Sequence, residues 1–323
     1  MRKISALFVL FLFALVFSVA VSAQEIYPSK PIKIIIPLGP GSGNDVVTRI
    51  LSESLEKDLK TQIIVEYKAG GGGGVVGADF VAKSKPDGYT LGTLNNSVLT
   101  NAPAFTPVPY DPVKDFTPIA RLGSGNVLLV VNEPPPWKTL EGFLDYARKN
   151  PGKATCGTTG TASVGNLDLE LLKAAARVPI THVPYKAGSG PNIAALLGGH
   201  IDSSMQLWPV LASHVRGGKL HPLASVSPLK EFPQVPTFAQ KGLPSVNMEI
   251  WFGFYGPANL PKDVLARLDQ AFKKALHEVG NVSKLEKIGW TVDYEGTTEV
   301  SERVKKELAV VRELVIKAGI KPD

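Results

Sequence analysis

The spacing of hydrophobic residues alternates along the chain between a strand pattern and a helix pattern. Ile32–Ile36 is a run of mostly β-branched residues closed by a proline, which is typical of a buried strand. Apolar residues at 46–59 recur every three or four positions and predict an amphipathic helix that starts at Asp45. A β-branched run at 63–65 completes a predicted strand–helix–strand unit, whose crossover we expect to be right-handed.

The same alternation continues to the C-terminus. Further strands are predicted at 89–94, 127–131, 180–183 and 248–255. Further helices are predicted at 78–83, 140–148, 166–176, 192–197, 262–279 and 298–318. Strands that alternate with helices indicate an α/β fold, with parallel sheets buried on both faces.

Length and composition narrow the class of protein. The 323 residues suit two domains of ~150 residues each. A hydrophobic share of 44% excludes disorder, and the single cysteine, Cys156, excludes a disulfide framework or a multi-cysteine metal site. The 35 basic residues outnumber the 29 acidic ones without forming a run, so the charge excludes a nucleic-acid-binding surface.

The N-terminus has the pattern of a secretory signal peptide. Two basic residues precede an apolar stretch at 4–21, and small residues at 21–23 predict cleavage after Ala23. An uncleaved membrane anchor is the alternative, because the apolar stretch is long enough to cross a thin bilayer. We expect a periplasmic, soluble mature chain that begins at Gln24, which offers no cysteine for lipid attachment.

Two glycine-rich loops each lie between a predicted strand and a predicted helix, within 32–59 and 153–176. Loops at the carboxyl ends of strands collect ligands in α/β sheets, so two such loops predict a ligand held between two lobes. Backbone N–H groups at a helix N-terminus bind carboxylate or phosphate. Neither loop contains Arg or Lys, and their neutral donors are Ser42, Asn44, Thr158, Thr159, Thr161 and Ser163.

Motifs for catalysis and cofactors are incomplete. Gly72–Gly77 matches G-x-G-x-x-G but lacks the acidic residue after the next strand, so a tight turn is favoured and no cofactor is expected. The five histidines have no metal-ligand spacing. Ser163 falls one residue short of a G-x-S-x-G elbow, and His277 is a poor general base, so helix capping by Ser163 or Asn166 is favoured. For Asp45, pairing with Arg49 and contact with ligand both stay open.

A family resemblance rests on many short motifs in order. They include Tyr27–Ile32, Pro37–Gly43, Pro86–Leu91, His182–Lys186, Leu197–Gly199 and Val235–Thr237. Over essentially all of the mature chain, the sequence resembles the Bug-type extracytoplasmic solute receptors, the binding-protein subunits of tripartite tricarboxylate transporters. It departs from the family pattern at Ser42, Tyr67 and Asn166-Leu167.

The resemblance implies a two-lobed type II periplasmic-binding-protein fold, or Venus flytrap. Each hinged lobe would hold a mixed, mostly parallel sheet flanked by helices. Residues 1–23 would be the signal peptide, 24–125 plus 247–323 the first lobe, and 126–246 the second.

The resemblance also implies how the ligand is held. Loops 38–45 and 157–163 would bind its carboxylate through backbone and water contacts, and loop 186–191 would close over its other end. Bulk at Gly41 or Gly43 should then block binding. The predicted ligand-binding residues are Leu38, Gly41, Ser42, Gly43, Asn44, Asp45, Asn95, Asn96, Thr158, Thr159, Thr161, Ser163, Lys186, Gly188, Ser189 and Gln206, with no catalytic residue and no metal.

The expected function is capture of a small organic acid and its delivery to integral-membrane transporter subunits. The protein would act as a monomer, without enzymatic activity, cofactor or nucleic-acid partner. Two alternatives stay open: a sensor that presents its closed form to a membrane receptor, and a secreted serine hydrolase that uses Ser163.

Overall fold

A computed structural model describes residues 27–186, 188–317 and 319 of the chain. The predicted signal peptide, residues 1–23, therefore lies outside the described residues. None of the helices in the described ranges is long and apolar enough to cross a membrane.

The described residues form two sheets with helices between the strands. The strands are β1 Ile32–Ile36, β2 Ile63–Tyr67, β3 Thr90–Asn95, β4 Phe116–Gly125, β5 Val127–Asn132, β6 Thr155–Thr158, β7 Thr181–Pro184, β8 Ser203–Leu207, β9 Leu220–Ser225, β10 Ile250–Pro257 and β11 Trp290–Glu295. The α-helices are α1 Gly43–Leu59, α2 Val75–Ala82, α3 Ala102–Phe105, α4 Leu140–Lys149, α5 Val164–Ala176, α6 Ser189–Leu197, α7 Trp208–Arg216, α8 Lys262–His277, α9 Val279–Lys287 and α10 Thr297–Lys317. A π-helical turn, Ser97–Asn101, and a 3-10 turn, Ala239–Lys241, complete the set.

Each sheet belongs to one lobe of an α/β fold, which confirms the two-lobed architecture. The first sheet has the order β11-β4-β10-β3-β1-β2 and the second the order β7-β6-β8-β5-β9. The chain passes from the first sheet to the second at Asn126, between β4 and β5, and returns through 226–249, between β9 and β10. The lobe boundaries at 125/126 and 246/247 stay a prediction.

Both sheets are mixed, as expected, and in each of them most of the described strands run in one direction. β1 pairs in parallel with β2 and β3, and β6 with β7 and β8. The other five pairings among the described strands are antiparallel. These five pairings all involve β5, β10 or β11, which run against the strand–helix–strand units, whereas β4 and β9 run with them.

The predicted helix at 262–279 ends two residues earlier, at His277, and a further helix, α9, follows it. Glu278 has an extended conformation, with φ −63° and ψ 126°, and separates α8 from α9. Helix α6 begins at Ser189, three residues before the predicted start. This earlier start matters for the site, because it places the helix N-terminus next to Gly188.

The core shows why the first strands form where the sequence predicts them. Ile34 and Ile36 on one face of β1 pack with Leu51 of α1, while Ile35 on the other face packs with Val81 of α2. β1 is thus buried on both faces, as its continuous β-branched run predicts. This packing holds α1 and the loop before it rigidly at the carboxyl end of β1.

Candidate ligand-binding site

Three helix N-termini converge on one cavity between the two sheets. Gly43 at the start of α1, Val164 at the start of α5 and Ser189 at the start of α6 all line it. Its volume is about 30 Å³, room for roughly two water molecules. None of the described residues on its wall is charged; they are Leu38, Gly43, Asn44, Asn95, Ser97, Val127, Thr159, Val164, Gly165, Ser189, Met205, Gln206, Leu207, Ile250 and Phe252.

The first loop ends in a capped helix. Ser42 has an extended backbone, and its hydroxyl accepts a hydrogen bond from the Asp45 N–H at 3.4 Å. The N–H groups of Gly43 and Asn44 lie in the first turn of α1, where a helix offers them no acceptor. They also lie at the positive end of the helix dipole. The loop therefore presents backbone donors to an anion in the cavity.

The second loop is capped in the same way. The Ser163 hydroxyl accepts from the Asn166 N–H at 3.2 Å and donates to the Gly160 carbonyl at 2.8 Å. This confirms the capping interpretation of Ser163. His277 lies exposed on α8, and its Nδ1 contacts the Lys273 carbonyl at 2.8 Å. The hydrogen bonds of His277 and Ser163 do not join the two residues, so His277 is not placed as a general base for Ser163.

The third N-terminus comes from the loop after β7. Gly188 has a φ of +107°, and a Cβ atom placed on it would lie 3.4 Å from the backbone nitrogen of Gly39. The loop therefore lies against the first glycine-rich loop, on the opposite lobe. Ser189 is buried in the cavity wall, and its hydroxyl donates to Gln206 Oε1 at 3.3 Å.

An amide chain borders the cavity from the first sheet. Asn44 Nδ2 donates to the Thr93 carbonyl at 2.6 Å, and Asn95 Nδ2 donates to Asn44 Oδ1 at 3.2 Å. Two buried cavity atoms have no hydrogen-bond partner among the described residues, Asn95 Oδ1 and Gln206 Nε2. Buried polar atoms in native proteins are nearly always paired, so these two atoms point to a missing partner.

The structure answers the open question about Asp45. Its carboxylate accepts hydrogen bonds from the Gly41 N–H at 2.8 Å, from Arg49 Nε at 2.8 Å and from Tyr67 Oη at 2.9 Å. Asp45 is buried away from the cavity wall. It holds the first loop in shape and does not line the cavity. Tyr67, one of the departures from the family pattern, is part of this support.

Of the predicted ligand-binding residues, the structure brings seven to the cavity wall and leaves nine off it. The seven are Leu38, Gly43, Asn44, Asn95, Thr159, Ser189 and Gln206. The nine are Gly41, Ser42, Asp45, Asn96, Thr158, Thr161, Ser163, Lys186 and Gly188.

Most of the nine have a supporting role. Asn96 Nδ2 donates to the Glu249 carbonyl at 2.9 Å, beside the connection between the sheets. The Thr158 hydroxyl lies 2.7 Å from His182 Nε2, and Thr161 faces Gly72 across the cleft. Lys186 is exposed.

The sequence interpretation missed eight wall residues. Most are apolar and belong to strand ends near the connection between the sheets; the eight are Ser97, Val127, Val164, Gly165, Met205, Leu207, Ile250 and Phe252. Ser97 had a sequence signal, since it directly follows Asn95-Asn96. Its hydroxyl accepts the Val164 N–H at 3.2 Å and so links the two lobes.

The expected effect of bulk at Gly43 has a different cause from the one predicted. A Cβ atom there would lie 2.4 Å from Leu207 Cδ2 and 2.7 Å from Phe252 Cζ. A larger residue would therefore clash with the protein before it met a ligand. Gly41 has open space around it, but its φ of +76° strains any other residue.

The run Gly70–Gly74 and the second glycine-rich loop approach each other across the cleft, and we call these two segments the lips of the cleft. A Cβ atom on Gly160 would lie 3.0 Å from the Gly73 nitrogen, so the two backbones lie nearly in contact. The run Gly70–Gly74 thus packs against the second loop, which agrees with its interpretation as a turn. Cys156 lies at the foot of that loop; it is fully buried, and burial raises the pKa of its thiol to about 12.

Comparison with known proteins decides the family. The model of the tripartite tricarboxylate transporter family receptor matches residues 47–320. The chain belongs to this receptor family. A Cupriavidus necator relative, "UPF0065 protein in gbd 5'region", is 34% identical over 294 residues, covering 89% of this chain and 88% of that protein. BugT of Bordetella pertussis is 31% identical and covers 79% of this chain and 78% of its own.

Solved structures agree with this assignment. A periplasmic transporter has a TM-score of 0.88 and 35% identity, and covers 92% of the receptor and 100% of that chain. MatC from Rhodopseudomonas palustris with bound malate has a TM-score of 0.85 at 28% identity. The match covers 90% of this chain and 100% of MatC. R. palustris Rpa4515 with adipate has a TM-score of 0.85 at 26% identity. The match covers 92% of this chain and 100% of Rpa4515. A TctC solute-binding protein from Polaromonas without ligand has a TM-score of 0.64 at 28% identity. The match covers 90% of this chain and 99% of the Polaromonas protein. The receptor is thus a periplasmic solute-binding protein of the Bug type.

Among the described residues, no group of three or more His, Cys, Asp or Glu side chains could hold a metal ion. The cavity wall offers hydroxyls, amides and backbone N–H groups instead. Such a wall can bind and orient an anion without reacting with it.

Proposed function

We propose that this receptor captures a small dicarboxylate between its lobes and delivers it to the integral-membrane subunits of a tripartite transporter. The convergence of the α1, α5 and α6 N-termini on one uncharged cavity carries the proposal. Fixed dipoles hold a carboxylate strongly in a site that excludes water, yet they form no bond that must later be broken. The receptor would act as a monomer after cleavage behind Ala23.

Relatives with bound ligands support the dicarboxylate. MatC is described with malate and Rpa4515 with adipate, and both share the fold over the full length of their chains. Both ligands carry two carboxylates, which a cavity that receives helix N-termini from two lobes could hold at once.

The arrangement of the lobes supports a trap that opens and closes. At the same identity of 28%, the TM-score is 0.85 with malate-bound MatC and 0.64 with the ligand-free Polaromonas protein. The lobes therefore stand closer to their arrangement in the malate-bound relative than to that in the ligand-free one. A cavity of about 30 Å³ is smaller than any dicarboxylate needs. The lobes must separate to admit a ligand, and they cannot close quite as far around it.

Calorimetry on the mature chain tests the function. We expect one-to-one binding of at least one of succinate, malate, glutarate and adipate. The melting temperature should rise with ligand, because a ligand at 100 times its Kd stabilises a protein by about 2.7 kcal/mol. The dimethyl esters keep the shape but lose the charge, and should not bind. No heat and no stabilisation with any of the acids, or equal binding of an ester, would contradict the proposal.

A further inference from the structure

The two unpartnered cavity atoms complement each other. Asn95 Oδ1 is an acceptor at the end of β3 in the first sheet, and Gln206 Nε2 is a donor on β8 in the second sheet. Asn95 is fully buried, and Gln206 is 4% exposed. Both residues line the cavity of about 30 Å³, which makes it the place where a ligand group would meet them.

The orientation of the Asn95 amide follows from a backbone carbonyl. The Thr93 carbonyl can only accept, so Asn44 must turn its Nδ2 toward it, at 2.6 Å. Asn44 Oδ1 then faces Asn95 and can only accept, so Asn95 must donate a hydrogen bond to it from its Nδ2, at 3.2 Å. Asn95 is left with its acceptor oxygen unpaired.

A hydroxyl group is the group that satisfies both atoms. It donates its proton to Asn95 Oδ1, and its oxygen accepts from Gln206 Nε2. A methylene group does neither. An ammonium group donates but cannot accept, and its charge would be buried on a wall whose described residues carry no carboxylate.

The position of the hydroxyl follows from Asn44. Its backbone N–H lies in the first turn of α1, where a carboxylate binds, and its side chain holds Asn95. The Asn95 acceptor therefore lies beside that carboxylate. Building on the proposed function, we infer that the ligand is a 2-hydroxydicarboxylate, which Asn95 and Gln206 select over the plain dicarboxylate of equal length.

Matched pairs of acids test the inference on the unmodified mature protein. Malate is compared with succinate, and 2-hydroxyglutarate with glutarate, by calorimetry. We expect the hydroxy acid of the better-fitting length to bind at least about tenfold more tightly, because its plain partner leaves two buried polar atoms unpaired. Aspartate is the ammonium counterpart and should bind more weakly than malate.

A variant assigns the selectivity to its residue. Asn95→Leu keeps the size but removes the acceptor, so the ratio within a pair should fall below about twofold. Asn132→Leu is the matched control, because Asn132 lies in the second sheet off the cavity wall and donates to the Leu196 carbonyl. It should keep the ratio. Gln206→Met provides a second variant if Asn95→Leu does not fold, and should lower the ratio likewise.

The outcomes separate this inference from the proposed function. Equal affinity within both pairs, or an unchanged ratio in Asn95→Leu, overturns the hydroxyl while the dicarboxylate receptor stands. Tighter binding of aspartate than of malate overturns it in favour of an ammonium ligand. Failure of every dicarboxylate to bind overturns both proposals.

Discussion

The buried carboxyl group of Asp168 lowers the stability of the folded protein at neutral pH. The residue lies on α5 and is fully buried; its Oδ1 accepts the Met248 N–H at 3.1 Å, while its Oδ2 has no partner among the described residues. Burial raises the pKa of Asp168 well above its ordinary value, because the charged form loses its hydration.

Asp168→Asn should stabilise the protein above about pH 4. The unfolded chain releases this proton near pH 3.9 and the folded chain only at higher pH, so stability is lost as the pH rises from the unfolded to the folded pKa. The penalty then persists. Asparagine carries no charge and so avoids this penalty. The free energy of unfolding of the variant should be higher by about 1.4 kcal/mol for each unit between the two pKa values.

Urea unfolding of the two proteins at pH 4 to 8 measures this difference. The gain should be small at pH 4 and grow as the pH rises. Asp145→Asn is the control, because Asp145 is exposed and pairs with Arg148 at the surface. A gain independent of pH would contradict the prediction.

At the scale of the element, the glycine-rich lips determine how far the cleft closes. Gly160 has a φ of +134° and lies against Gly72 and Gly73, backbone to backbone. Side chains on these loops would hold the lips apart. The glycines therefore allow a close approach across the cleft in addition to the turns themselves.

Gly160→Ala should weaken binding of the tightest dicarboxylate by about tenfold, because its methyl group keeps the lips from closing. Gly152→Ala is the matched control, since Gly152 also has a positive φ, +78°, but open space around it. Both variants should lose stability through backbone strain, whereas only Gly160→Ala should lose affinity. Calorimetry and thermal melts separate the two effects, and equal affinity in both variants would refute the role of the lips.

The elements show what the sequence could and could not predict. β1 was predictable to the residue, because its β-branched run ends at a proline. β8 begins Ser203-Ser204 and carries Gln206, so it has no strand pattern and forms through its neighbours. α6 was predicted to start at 192 because 188–190 has the composition of a glycine-rich loop. The helix begins at Ser189 instead, and Pro191 fits its first turn, where the missing N–H is not needed.

The site was predictable where it depends on local chemistry. Asn44 was expected at the cavity because it belongs to a glycine-rich loop between a strand and a helix, and it lies on the cavity wall. Leu207 and Phe252 were missed because an apolar residue gives the same signal in a core and in a cavity wall, and only tertiary packing separates them. Asp45 stayed ambiguous because its partner Tyr67 lies on β2, outside the helix that holds Asp45, so only tertiary packing brings the two together.

On the scale of the whole molecule, hydrogen bonds tie together the two connections between the sheets. Glu249 accepts from the Ser124 hydroxyl at 2.7 Å and from the Ser227 hydroxyl at 2.8 Å. Ser227 also exchanges two hydrogen bonds with Asn126, at 2.5 and 3.0 Å. Each connection is thus fixed to the other by hydrogen bonds.

Glu249→Ala should shift the ligand-free protein toward an open arrangement, because the closed form loses both hydroxyl contacts. We expect a larger radius of gyration in X-ray scattering and an affinity about two- to tenfold lower. The exposed Glu286, which lines a surface cavity together with Glu249, offers the control Glu286→Ala. If the radius of gyration and the affinity of Glu249→Ala match those of the control, the hydrogen bonds of Glu249 do not hold the lobes in this arrangement.

The buried thiol gives the protein a practical advantage for labelling. Cys156 is the one cysteine of the chain, and its burial and raised pKa of about 12 keep it from reacting with maleimides at neutral pH. Cysteines introduced on the surfaces of the two lobes would be the only reactive thiols of the folded protein. A pair of fluorophores can thus be attached with the native cysteine in place, and labelling of Cys156 itself would report that the fold around it has opened.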